Sequence, residues 1–91
     1  MGRDQKQVTG DVSEYKAVIR FLKAGYMVFK NVSGTGPIDL VVVHHKTGKV
    51  RFIDVKTISY RKKGTKINRS PTKEQIKLGV DLEYVDKNKN D

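Results

Sequence analysis

Asp39, Asp54 and Lys56 place charge in or beside apolar β-type runs. They lie in the stretch GPIDLVVVHHKTGKVRFIDVKT, residues 36–57, which reads as two strands around a turn. Carboxylates and an ammonium are costly in an apolar strand unless they are paired, ligated or solvated. Residues two apart on a strand share a face, so Asp54 and Lys56 point the same way as Phe52, and Ile53 and Val55 point into the core. With Thr47 and Gly48 as a two-residue turn, Asp39 stands opposite Lys56 and Val41 opposite Asp54, and all three charges share one side. A slip of one residue would send Asp39 to the other face. Acidic oxygens gathered beside an ammonium repel one another, and a hard divalent cation relieves that repulsion. Oxygen ligands with open positions suit magnesium. A structural Asp–Lys ion pair on a solvated sheet face is the plainer alternative.

A further carboxylate enters from the segment DVSEYKAVIRFLKAG, residues 11–25. Its apolar positions 12, 15, 18, 19 and 22 recur with a helical period. At about 100° per residue, Glu14 falls within the arc of Ala17, Val18, Phe21 and Leu22. A solvated Glu in a first turn, favoured by the helix dipole, is the alternative. Gly10 with Asp11 or Ser13 opens this helix, and Gly25 closes it.

The elements that must position these groups follow from local signals. Residues 26–32, 38–44 and 50–57 read as strands, and SGTGP at 33–37 as a glycine-rich connection. Residues 59–69 form a basic loop. Residues 70–79 are a short helix with Ser70 as N-cap, Pro71 at the first helical position and Gly79 at the stop. Residues 80–86 alternate as a last strand. The expected fold is α/β, a central mixed sheet flanked by helices in the order α-β-β-β-α-β. Residues 1–91 make one domain, with 1–9 and 87–91 as flexible ends.

Composition narrows the function classes. Nineteen Lys plus Arg oppose ten Asp plus Glu, a net charge of +9, which favours nucleic acid before an anionic membrane. There are no cysteines, so disulfides, zinc ribbons and thiol catalysis are excluded. No signal peptide and no apolar run of membrane-spanning length is present, which predicts an intracellular protein, in cytoplasm or nucleoid, or in host cytoplasm if viral. Arg61, Lys62, Lys63, Lys66 and Arg69 crowd the loop beyond Lys56, and Lys73 and Lys77 lie four apart on one face of the second helix. They are candidate phosphate contacts, giving affinity and salt sensitivity without a sequence code. His44 and His45 are adjacent, so they face opposite sides of a strand, and they are read as hairpin-end residues rather than ligands.

Gly36-Pro37-Ile38-Asp39 followed by Asp54-Val55-Lys56 resembles the PD-(D/E)XK nuclease superfamily, in particular archaeal Holliday junction resolvase-like, VRR-NUC and intron-encoded endonuclease members. The similarity runs from GDVSEYKAVIRFLKAGY through GPIDLVVV and FIDVKT to SPTKEQ. It implies a restriction-endonuclease-like fold and magnesium-dependent, structure-selective DNA hydrolysis, with manganese as a substitute. By position, Asp39, Asp54 and the backbone carbonyl of Val55 resemble the metal ligands, and Lys56 resembles the catalytic lysine. Glu14 matches the first-helix acid of resolvase-like members, and Gln75 a glutamine that follows the core motif in several families. Two departures stand out: one residue separates Pro37 from the acid, and the second acid is Asp rather than Glu. The implied partner is DNA, branched or duplex, cut by a homodimer whose two subunits each cleave one strand. A nucleic-acid-binding module that keeps the fold without catalysis is the competing reading.

Overall fold

The computed structural model describes residues 5–58, 64 and 69–86. Helix α1 (Gln5–Lys23) is followed by β1 (Tyr26–Lys30), β2 (Leu40–His44), β3 (Val50–Thr57), α2 (Lys73–Leu78) and β4 (Val80–Val85). The expected order and α/β class are both present. The strands form one mixed sheet in the order β1-β2-β3-β4. β1–β2 and β2–β3 are antiparallel, and β3–β4 is parallel. A parallel pair needs a crossover, and the segment carrying the basic loop and α2 supplies it.

The register divides the sheet into two faces. Tyr26, Val28, Leu40, Val42, Ile53 and Val55 share the face under α1, with Val85 from β4. With Ala17 and Phe21 they make the core, in which Ala17, Leu40, Val42, Ile53 and Val85 are fully buried. The small side chains of Ser13 and Ala17 let α1 lie close to the sheet. Two ion pairs brace the flank, Arg20 to Glu83 at 2.7 Å and Arg51 to Asp81 at 3.2 Å.

Three local expectations are corrected. α1 begins at Gln5, so residues 5–9 are helical, not loose, and neither Asp11 nor Ser13 starts the helix. α1 packs through Ser13, Ala17 and Phe21, whereas Val12, Tyr15, Ile19 and Leu22 are exposed; the apolar period read from the sequence belongs largely to the outer face. The N-cap of α2 is Thr72, not Ser70. Thr72 Oγ1 accepts from Gln75 N while Gln75 Oε1 accepts from Thr72 N, a reciprocal capping box.

The hairpin turn also differs. His44 N donates to Lys49 O and Gly48 N to His44 O, so residues 45–48 form a four-residue loop. Gly48 takes φ 73° there. The longer loop shifts the register by two: Leu40 pairs with Ile53 and Val41 with Phe52. A shift of two keeps every side chain on its expected face.

Candidate metal and nucleic-acid site

Asp39 is delivered by the loop between β1 and β2. Asn31, the first residue after β1, organises that loop: its Nδ2 donates to Thr35 O (2.6 Å) and Ile38 O (2.9 Å), and its Oδ1 accepts from Ser33 N and Ser33 Oγ. Asn31 N also bonds to Asp39 O at 2.9 Å. Gly36, at φ 101°, makes the bend before Pro37 in a conformation that a β-carbon would strain. Asp39 N then donates to Ile53 O, and Asp39 Oδ2 accepts from Val55 N at 2.7 Å. The carboxylate is thus fixed on the edge of β3 by a backbone donor.

The two-residue register shift changes which groups meet. Asp39 stands beside Asp54 rather than opposite Lys56. Asp54 is 6% exposed, and its Oδ2 accepts from Gln75 Nε2 at 2.7 Å and pairs with Lys56 Nζ at 3.1 Å. Gln75 Nε2 also donates to Pro37 O at 3.1 Å, tying α2 to the loop that carries Asp39. Asp39, Asp54, Lys56 and Gln75 therefore form one constellation drawn from a loop, a strand and a helix.

Its electrostatics are those of crowded acids. The Asp39 carboxyl is pushed up to about 6, first by burial and then by the neighbouring Asp54 and Glu14 carboxylates. The Val55 N–H opposes this by stabilising the ionised form. Glu14 contributes to that field from α1, while its own Oε1 pairs with Lys30 Nζ at 3.3 Å. Lys30 Nζ lies 4.4 Å from the centre of the Tyr15 ring. Burial alone would lower the Lys30 pKa, but Glu14 and Tyr15 outweigh it and the net shift is upward.

A cavity of ≈ 250 Å³ opens beside Asp39, with Phe29, Lys30, Asn31 and Ile38 in its wall. Nearby, Ser13 Oγ and Thr57 Oγ1 lie 2.6 Å apart and lock α1 to the end of β3 just past Lys56.

Among the described residues, no three His, Cys, Asp or Glu side chains are grouped to hold a metal ion. The donor set at Asp39 and Asp54 is nevertheless all oxygen, and part of the upward shift at Asp39, after the larger contribution of burial, is like-charge crowding that a hard cation would relieve. The residues present fit magnesium in that chemical sense.

Of the candidate phosphate contacts, Arg61, Lys62, Lys63 and Lys66 lie outside the described residues. Arg69, Lys73 and Lys77 are exposed. Arg69 is tied to β4 through its backbone: its N–H donates to Tyr84 Oη, which donates in turn to Arg69 O. His44 ends β2 as expected, with Nδ1 accepting from Lys46 N and Thr47 N. Asn31 and Thr57 were not singled out from the sequence, and Ser13 was read only as a helix opener. The Asn-Val-Ser order at 31–33 was a readable signal for the first, because Asn commonly bonds the backbone two residues on.

No family model, no curated protein and no solved structure matches the chain. Among the described residues, no helix is long and apolar enough to cross a membrane.

Proposed function

We propose that this domain is a metal-dependent DNA endonuclease of the PD-(D/E)XK type, hydrolysing phosphodiester bonds with a preference for DNA structure over sequence. The observation that carries this reading is the meeting of Asp39 and Asp54 beside the Lys56 ammonium, with Gln75 holding the buried Asp54. Charge of both signs in so small a volume is expensive for a fold that gains nothing from it.

Asp39, Asp54 and the Val55 carbonyl would hold magnesium or manganese, with Glu14 within electrostatic reach. Bound there, the ion would supply Lewis acidity, making a water nucleophilic and drawing charge from the phosphate. The chain's own residues supply orientation and field. Val55 N–H and Gln75 Nε2 fix one oxygen of each carboxylate, Oδ2 in both cases. Lys56, paired as an ammonium with Asp54, presents a fixed positive charge and N–H donors where the phosphorane-like transition state gathers negative charge. The water gives up a proton as its oxygen bonds to phosphorus, the phosphorus–oxygen bond to one deoxyribose breaks, and the departing oxygen takes up a proton from solvent. Arg69, Lys73 and Lys77 are exposed on the crossover, suited to the phosphate backbone. Cutting both strands calls for two such sites, which a homodimer supplies.

The test is cleavage of branched, linear duplex and single-stranded DNA with magnesium or manganese. Wild type is expected to cut at least one substrate, and Asp54→Ala and Lys56→Ala none. A wild-type protein that binds these DNAs but cuts none with either metal is the non-catalytic binding module.

A further inference from the structure

α1 carries apolar residues on two opposite faces. Ser13, Ala17 and Phe21 are buried against the sheet. Val8, Val12, Tyr15, Ile19 and Leu22 are 40%, 45%, 57%, 47% and 56% exposed. Their spacing alternates four and three, the seam pattern of a coiled coil, and at about 100° per residue the stripe is centred about 180° from the buried face. An outward helix face normally carries polar residues.

We propose that this stripe is a two-helix seam, with α1 of one copy packed parallel against α1 of a second copy. The four-three spacing fits knobs into the holes of another helix, and a second copy offers the same spacing by symmetry. Val12 and Ile19 are then core positions of one type, and Val8, Tyr15 and Leu22 of the other. Flanking charge sets the direction. In the parallel arrangement Asp11 of each copy comes opposite Lys16 of the other, giving two attractive pairs in addition to the contacts these residues make within the chain. The antiparallel arrangement brings Lys16 against Lys16 of the second copy.

A free peptide this short would gain little from pairing, because it must first become helical. α1 is already held as a helix by the sheet, so that ordering cost is absent. α1 spans about 28 Å, and its seam is smaller than a standard interface of roughly 800 Å² per partner, so the expected affinity is micromolar. The proposal concerns assembly and stands whether or not the site cuts DNA.

The experiment is sedimentation equilibrium on the full chain from about 1 to 200 µM, with single-cysteine crosslinking; the native chain has no cysteine to interfere. Wild type is expected to dimerise. Ile19→Glu should weaken dimerisation at least about 30-fold, as for a central interface residue, with its thermal melt equal to that of wild type at concentrations where both are monomeric, because the side chain faces outward. Mixing Ile19→Glu with Ile19→Lys should restore dimers, and Val12→Cys should oxidise to a covalent dimer. A wild type monomeric at 200 µM overturns the proposal, including one that is monomeric and binds vesicles rich in phosphatidylserine. A dimer that Ile19→Glu leaves intact overturns it equally. A mixture of Val12→Cys and Ile19→Cys that crosslinks while neither does alone overturns the parallel arrangement.

Discussion

The amide of Gln75 donates to the carboxylate of Asp54 at 2.7 Å, and both residues are 6% exposed. One nitrogen thereby joins α2 to the centre of β3, while the same nitrogen reaches Pro37 O. Gln75→Leu is close in size and removes both bonds as well as the return arm of the capping box. A hydrogen bond to a charged group contributes about 1.5–3 kcal/mol. The variant should lose about 2–3 kcal/mol in denaturant unfolding, and any DNA cleavage should fall with it. An unchanged unfolding midpoint would show that Asp54 finds another donor.

Asp39 sets a pH dependence. Its folded pKa of about 6 lies above the ordinary 3.8, so its protonation favours the folded chain. That contribution is complete below about pH 4 and is lost as pH rises through about 6. Asp39→Asn keeps an acceptor for Val55 N and removes the charge. Without divalent ions, it should melt above wild type at pH 8, and the difference should vanish near pH 4. Magnesium should raise the wild-type melting temperature more at pH 8 than at pH 5, and should leave Asp39→Asn unmoved.

Lys56 pairs with Asp54 Oδ2 at 3.1 Å, and its side chain is about one-third exposed. Lys56→Met keeps the aliphatic stem and removes the charge. Loss of a positioned proton donor or charge costs about 100-fold to 10⁴-fold in rate. Single-turnover cleavage should fall by that range while DNA affinity changes less than about threefold.

Asn31 is a positioning residue for Asp39. Asn31→Ala removes the two bonds that its Nδ2 gives to the loop and the two that its Oδ1 accepts. The expected cost is about 1–2 kcal/mol, with a weaker magnesium-induced rise in melting temperature than in wild type. Retention of the full magnesium effect would remove Asn31 from the site.

Exposed cations on α2 should act through phosphate alone. Lys73→Ala and Lys77→Ala should each reduce the slope of log affinity against log salt by about one, equally for different DNA sequences. A change in sequence preference would point to base contacts.

The strands were legible in the sequence because alternation and turn residues agree: the ends of β3 match those expected, and β1, β2 and β4 differ by two residues or fewer. The faces of Asp54 and Lys56 followed from parity and survived a wrong turn, since a two-residue loop and the four-residue loop at 45–48 differ by an even number. The partner of Asp39 did not survive it, because register fixes neighbours as well as faces. α1 was read through its larger apolar residues. Beside Phe21, its contact with the sheet is made by the small Ser13 and Ala17, where close approach matters more than hydrophobic bulk, and side-chain volume alone does not announce that. The capping role of Thr72 was hidden by Ser70 and Pro71, which imitate a helix start two residues early.

The groups around Asp54 come from positions 39, 54, 56 and 75, and they are joined only when β2, β3 and the crossover to β4 are all in place. No single element or hairpin carries the constellation. Should the constellation cut DNA, that chemistry would arise only as the sheet and the crossover close around it.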